Sequence, residues 1–338
     1  MPAKRIPRVV SLGEPWYIDA DYLSNFKKDF NYSVLNAKDR SDLQEKLPAE
    51  IAENGTIDAL IWGAVSFGQV DEDLLKALVP GCKIIVTGSA GYNNFDVQWM
   101  ADQGIWFCNT VDAVAEPTAD MALFLILAVL RNTSNAERIA RSGAWKGDKV
   151  VPTRDPAGLT LGIVGLGSVG KYLAKRAAIL NMKIRYHNRT QLPAEEEAKY
   201  NATYDKTLQD LLGSSDVISL NCPLNDSTRN MLSDAEFAAM KDGAYLINTA
   251  RGPVVDEKSL IAALESGKIT RAGLDVFVNE PNPDPYFLQS DKVVVQPHNG
   301  GLTQKSFQKA TLECFENIRA LFIKGRPNSP VIDIKPKV

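Results

Sequence analysis

The chain has 338 residues, 45% hydrophobic and 23% charged, which are ordinary globular values at a length that suits two domains. A formal net charge of −3 gives no basic footprint for nucleic acid, and the longest wholly apolar run, 121–130, is too short to span a bilayer. Cys82, Cys108, Cys222 and Cys314 show neither metal-ligand nor disulfide-framework spacing, and no apolar leader with a cleavage site follows the basic stretch 1–8, so a cytoplasmic protein without a metal is expected.

The first third alternates short apolar runs with helical stretches. Strands are predicted over 7–12, 32–35, 57–62, 83–86 and 105–108, and helices over Ala20–Asp29, 41–53, 72–78 and 95–103. Such alternation specifies a parallel sheet covered on both faces. A turn-rich stretch, TGSAGYNN (87–94), follows the fourth strand. This region has no glycine fingerprint, which makes it a second α/β domain and not a second nucleotide site. A long, almost wholly apolar helix is predicted over 116–131, with Pro117 in its first turn, and suits a crossing between two domains. The weakly periodic stretch 132–156, with Gly143, Trp145 and Gly147 in its middle, is a candidate arm for packing on a second subunit.

The stretch LGIVGLGSVGKYLAKRAAILNMKIRYHNRT (161–190) organises the remainder. An apolar strand is followed by Gly165, Gly167 and Gly170 in GxGxxG spacing, then by a helix-period segment and a second short strand. That is the βαβ context a dinucleotide fingerprint requires. The first glycine makes the tight turn, the second lets backbone approach a pyrophosphate, and the third lets helix and strand pack closely. A helix N-terminus supplies N–H groups for the phosphates. An NAD site usually places an acidic residue about 20 residues on, to bind the ribose hydroxyls. Here the second strand ends His187-Asn188-Arg189-Thr190, with no carboxylate. Arg189 would attract a 2′-phosphate, and Asn188 and Thr190 can donate hydrogen bonds to it, so NADP(H) is expected. If Arg189 is instead a solvated loop charge, NAD(H) is possible as well.

From 161 onward six strands are expected, at 161–165, 183–187, 217–220, Ala244–Asn248, 272–275 and 293–296, the number in the doubly wound dinucleotide fold. A helix over 303–324 then returns to the first domain. The expected fold is α/β with two doubly wound parallel-sheet domains. A Rossmann dinucleotide-binding domain (119–300) is inserted in a discontinuous flavodoxin-like substrate domain (1–118 plus 301–338).

In an open α/β sheet, ligands sit outside the carboxyl ends of the strands. Arg251 follows the fourth strand of the dinucleotide domain, Glu280 the fifth and His298 the sixth, all on the half of the sheet where a nicotinamide would lie. The only other histidine, His187, ends the second strand on the adenosine side and is read as structural. Carbonyl reduction needs a hydride and a proton for the new alkoxide. His298 can give the proton as imidazolium, Glu280 can orient it and hold its charge, and Arg251 can clamp a carboxylate and polarise the adjacent carbonyl. The apolar loop Val65, Ser66 and Phe67 is a candidate lining for a substrate side chain larger than that of glyoxylate.

These motifs, VGLGSVG (164–170), CPLNDST (222–228), INTARGPVVDE (247–257), AGLDVFVNEP (272–281) and QPHNGG (296–301), resemble the D-isomer-specific 2-hydroxyacid dehydrogenases over essentially the whole chain. The resemblance implies a homodimer with substrate in a cleft between two domains. It places the family's catalytic Arg, Glu and His on Arg251, Glu280 and His298. It places cofactor contacts on Leu166, Gly167, Ser168, Val169, Cys222, Pro223, Thr228, Thr249, Ala250, Asp275 and Gly300. Backbone amides of Ala90 and Gly91 match those that hold the substrate carboxylate, and Thr118 matches a nicotinamide-side threonine. The Asn-Arg-Thr ending looks like the NADPH-preferring glyoxylate/hydroxypyruvate reductase branch, while the run as a whole is similar to fungal-type D-mandelate and 2-oxoisocaproate reductases. Asn299 stands where Ile is commoner in the family. The leading expectation is therefore NADPH-dependent reduction of a small-molecule 2-oxo acid, with no nucleic-acid or membrane partner. The alternatives are 3-phosphoglycerate dehydrogenase and a dinucleotide-sensing corepressor of the same fold. The first would want further basic residues for a phosphate, and the second a peptide-docking signature.

Overall fold

The structure, a computed structural model, describes residues 5–15, 17–63, 67–110, 112–145 and 152–334. The chain forms two compact units, Met1–Val114 with Leu302–Val338, and Ala115–Gly301.

The first unit is built on β1 (Arg8–Leu12), β2 (Asn31–Leu35), β3 (Ala59–Trp62), β4 (Ile84–Thr87) and β5 (Trp106–Cys108). All pairs are parallel and the order is β2-β1-β3-β4-β5, the flavodoxin-like winding. Strands β1, β3 and β4 are buried along their whole length because helices cover both faces. Successive residues face opposite sides, so each strand feeds two cores. Val10, Leu60, Trp62 and Ile85 pack with Leu43, Leu47 and Leu74 on one face. Val9, Ile61, Ile84 and Val86 pack with Phe26, Phe315 and Ile318 on the other. Phe315 and Ile318 come from the helix Gln304–Lys324, which starts at a Thr303 capping box and stops at Gly325 in the left-handed region. Phe67, read from sequence as pocket lining, is buried in the first core with its ring edge-on to Trp62, because an aromatic beside a buried strand end gains more from packing than from exposure. Val65 and Ser66 lie outside the described residues.

The second unit carries β6 (Thr160–Val164), β7 (Lys183–His187), β8 (Ala202–Tyr204), β9 (Val217–Leu220), β10 (Ala244–Asn248), β11 (Ile269–Leu274) and β12 (Val293–Val295). The sheet is parallel, in the order β12-β11-β10-β9-β6-β7-β8. It has a seventh strand beyond the six expected. β8 is a three-residue edge strand, part-exposed and paired only to β7, so its Ala-Thr-Tyr carries no apolar run to announce it. The winding reverses between β6 and β9, whose ends are in register at Val164 and Leu220. That reversal opens a crevice at the carboxyl edge.

The long apolar helix spans Asp112–Arg131, so Pro117 falls in its interior and not in its first turn. The boundary between the two units lies within this helix, at Val114 and Ala115. By length and composition it could cross a membrane, but half of its most apolar window is buried in the protein, as in a core helix. Within the candidate arm, Thr133–Arg141 is a helix with no buried residue, and 146–151 lies outside the described residues.

The β6–helix junction depends on one close approach. A Cβ on Gly170 would overlap the Gly165 carbonyl oxygen and press on the Ile163 side chain. Gly170→Ala is expected to lower stability by roughly 1–3 kcal/mol through this overpacking, read as an earlier midpoint in urea unfolding. An unshifted midpoint would refute the close packing.

Candidate active site

At the end of β6, Gly165 has φ +97, a left-handed turn that an L side chain resists, and a Cβ there would also press on the Asn221–Cys222 peptide. The turn leads into the helix Ser168–Ile179, whose N-terminus has no side-chain cap. The space beside Gly167 is open, with nothing within 4 Å of where a Cβ would stand. Leu166 is buried, and its N–H donates to Asn188 Oδ1 at 2.7 Å. Asn188 therefore shapes the loop with its amide oxygen. Val169 packs part-buried against the core beside the uncapped first turn. Arg189 and Thr190 are exposed, and Arg189 makes no ion pair among the described residues. His187 is structural in its contacts: Nδ1 bonds the Asp205 carbonyl at 2.9 Å and the ring lies parallel to Tyr204.

The neighbouring strand ends supply the rest of the edge. After β9, Cys222 is part-buried and burial pushes its thiol up to about 11, which keeps it protonated and unreactive at neutral pH. The Thr228 hydroxyl donates to the Pro223 carbonyl at 2.7 Å and accepts from the Asn225 N–H at 2.9 Å, so it closes its own turn. After β10, Ala250 N–H donates to Asn248 Oδ1 at 3.0 Å. Thr249 Oγ1 and Asn221 Oδ1 are buried without a hydrogen-bond partner. Buried polar atoms left unsatisfied at a strand edge call for a ligand that satisfies them. Together with the uncapped helix start and the open space at Gly167, they fit a bound dinucleotide. Thr118 is part-buried on the helix Asp112–Arg131.

Arg251, Glu280 and His298 all belong to the second unit, and the structure brings them to one place. His298 Nδ1 lies 2.7 Å from Glu280 Oε2. Glu280 Oε1 accepts from the Phe277 N–H at 2.9 Å. Burial pushes Glu280 up, but the His298 and Phe277 bonds and the charges of His298 and Arg251 outweigh it, and the carboxyl ends below the usual range. Arg251 donates from Nη1 to the Ala250 carbonyl at 2.6 Å, and burial lowers its pKa against the pull of Glu280 and Asp275. With Nδ1 committed to Glu280, Nε2 is the imidazole nitrogen left to meet a ligand.

His298 sits at φ +54, an uncommon place for a residue with a β-carbon. Asp275, read from sequence as a cofactor contact, accounts for it. Its carbonyl accepts the His298 N–H at 2.8 Å, and its two carboxylate oxygens accept the Asn299 and Gly300 N–H groups at 2.9 Å each. Gly300 leaves just enough room for Asp275 Oδ2, which would stand 2.7 Å from a Cβ.

Ala90 and Gly91 lie in the first unit, on the loop after β4. Asn109 Nδ2 donates to the Ala90 carbonyl at 2.6 Å, Thr110 N–H to the Ser89 carbonyl at 3.2 Å, and Ser89 Oγ to the Gly91 carbonyl at 3.0 Å. Sequence reasoning missed Asn109, the anchoring part of Asp275, and Glu257, whose Oε1 accepts the Val278 N–H at 2.9 Å. Asp275 and Glu257 lie inside recognised motifs, but nothing in a motif says which distant amide a carboxylate will meet.

A doubly wound parallel sheet with a GxGxxG turn and an Arg–Glu–His set at its carboxyl edge defines a nicotinamide-dinucleotide oxidoreductase. Residues 123–300 match the D-isomer specific 2-hydroxyacid dehydrogenase family, NAD binding domain. The chain is 53% identical over 329 residues to the dehydrogenase efuE of Hormonema carpetanum, covering 97% of this chain and 82% of that protein. A glyoxylate reductase from Paecilomyes thermophila superposes with a TM-score of 0.89 at 34% identity, over 99% of this chain and 100% of that one. The holo form of Rhodotorula graminis D-mandelate dehydrogenase does so with a TM-score of 0.90 at 32% identity, over 97% and 98%. The chain belongs to the D-isomer-specific 2-hydroxyacid dehydrogenase family and is an NAD(P)-dependent oxidoreductase of the 2-hydroxy acid/2-oxo acid class.

Proposed function

We propose that the enzyme reduces a 2-oxo acid to the D-2-hydroxy acid with NADPH as the preferred cofactor, and that His298 is the proton donor. The observation that carries this reading is the 2.7 Å contact of His298 Nδ1 with Glu280 Oε2 at the carboxyl edge of the sheet. The dinucleotide, when bound, supplies the hydride. His298 holds a proton on Nε2 and delivers it to the oxygen of the reduced carbonyl, while Glu280 stabilises the imidazolium before transfer. Arg251 binds the carboxylate of the 2-oxo acid and polarises its carbonyl. Similar proteins include both a glyoxylate reductase and a D-mandelate dehydrogenase, so the substrate is proposed as a class, the 2-oxo acids. Four free cysteines, three of them buried, suit a reducing cytoplasm.

Reduction needs a proton donor, so its kcat/KM is expected to be level at low pH and to fall at high pH. Glu280→Gln removes the stabilising charge but keeps the shape, so the fall should move to lower pH. His298→Gln should lower the rate by about 10²–10⁴-fold. An unmoved or upward-moved fall in Glu280→Gln, or near-parental rates in His298→Gln, would overturn these roles.

The NADPH preference rests on the exposed Arg189 and the absent carboxylate at the end of β7. Arg189→Ala should raise the KM for NADPH about ten- to a hundredfold, the size of one lost charge-assisted bond, and leave that for NADH nearly unchanged. Equal effects on both would exclude a phosphate contact.

We also propose a homodimer, supported by the unburied helix Thr133–Arg141 and by Phe124, which is 49% exposed on the adjoining apolar helix. Light scattering at low micromolar concentration should exceed the monomer mass of 37.0 kDa, and a reading at that mass would contradict the proposal.

A further inference from the structure

We propose that Glu257 is a positioning residue: by holding the Phe277–Val278 peptide it sets the Glu280–His298 pair and the Arg251 turn together. The proposal rests on the reductase reading above for its catalytic consequence. Two successive backbone amides after β11 are each taken by a carboxylate. Phe277 N–H goes to Glu280 Oε1 at 2.9 Å, and Val278 N–H goes to Glu257 Oε1 at 2.9 Å. The other oxygen of Glu280 holds His298 at 2.7 Å. A shift of the Val278 amide moves the Phe277 backbone with it, and so the carboxylate that orients the imidazole.

The same peptide supports Arg251. A Cβ on Gly252 would overlap the Phe277 carbonyl group and the Val278 nitrogen, so the turn that begins at Arg251 rests directly on it. Glu257 begins the helix Glu257–Glu265, five residues beyond Gly252, and ties the underside of one turn to the other. Two of the three candidate catalytic groups thus rest on successive peptides flanking Phe277, and Glu257 anchors the second of them.

The surroundings of Glu257 argue against an incidental contact. The charged groups that act on it are Asp284 and Asp256, both acidic. Burial and these two carboxylates push Glu257 up, and the Val278 amide pulls against them. The helix N-terminus favours an acid at this place. It does not explain why that acid is half-buried and turned to an amide 21 residues away. Beside two other carboxylates, Glu257 is held by its bond to the Val278 amide.

The test uses the full-length enzyme and two readouts. Glu257→Ala should lower kcat for 2-oxo acid reduction about ten- to a hundredfold, the effect of a misplaced catalytic group. Its KM for the dinucleotide should change less than about twofold. The high-pH fall of kcat/KM should move to lower pH, because a loosened Glu280 holds the imidazolium less well. Hydrogen exchange at the Phe277 and Val278 amides of the ligand-free protein should become faster. Glu257→Gln, which keeps an acceptor oxygen at the same reach, should recover most of the rate, the pH profile and the slow exchange. A pH fall left at the parental position in Glu257→Ala, unchanged exchange, or a Gln variant that behaves like Ala would overturn the proposal. If Glu257→Ala does not fold, Glu257→Asp, one methylene short of Val278, carries the same expectations and the same refutation. A parental enzyme that reduces no 2-oxo acid would overturn the reductase reading instead, and the exchange measurement would still decide the tether.

Discussion

The site depends on one buried carboxylate more than on any other group. Asp275 directly follows β11 and is 2% exposed, yet it carries no ion pair of its own among the described residues. Its charge is answered by backbone. Two amides of the turn after β12 donate to its two oxygens, and its carbonyl takes a third. Burial raises its pKa and the amides lower it. What results is a turn that cannot relax, with His298 held in the left-handed region where the backbone alone would not keep it. A parallel sheet makes this possible, because adjacent strands end side by side and their outgoing loops can bond to each other.

The rest of the carboxyl edge divides two tasks. Around β6, β7 and β9 the polypeptide makes room. A left-handed Gly165, an open flank at Gly167 and a helix start without a side-chain cap leave backbone donors available. Around β10, β11 and β12 it makes order. Arg251 and Glu280 are held by backbone groups of their own loops, and Asp275 and the His298 turn are bonded to each other across neighbouring loops. Charge is balanced within this group: Arg251 lies in the field of Glu280 and Asp275, and Glu280 is pulled down by His298 and Arg251. A half-buried acid–base pair can then carry a proton without an isolated buried charge.

Much of this was legible in the sequence. Apolar runs alternating with helical stretches specify parallel sheets, and both sheets are parallel throughout. The glycine spacing and the placement of Arg251, Glu280 and His298 after consecutive strands located the edge where they meet. Where the sequence misled, a short or local signal was outweighed by its surroundings. β8 pairs as an edge strand without an apolar pattern of its own, and Pro117 is absorbed within a helix that starts a turn earlier than its apolar face. Phe67 looks like pocket lining beside an apolar loop but finds Trp62 in the core.

What the sequence by itself determined is what depends on neighbours along the chain: strand and helix periodicity, the tight glycine turn, and which strand each functional residue follows. What only the tertiary structure decided is which groups satisfy one another. Asn188 gives its amide oxygen to Leu166, Thr228 closes its own turn, Asp275 holds the His298 turn and Glu257 holds Val278. The reason is that a carboxylate or amide side chain is chemically competent toward any backbone donor within reach. Reach is set by how strands stack in register, and residues 21 apart in the chain can meet there at 2.9 Å.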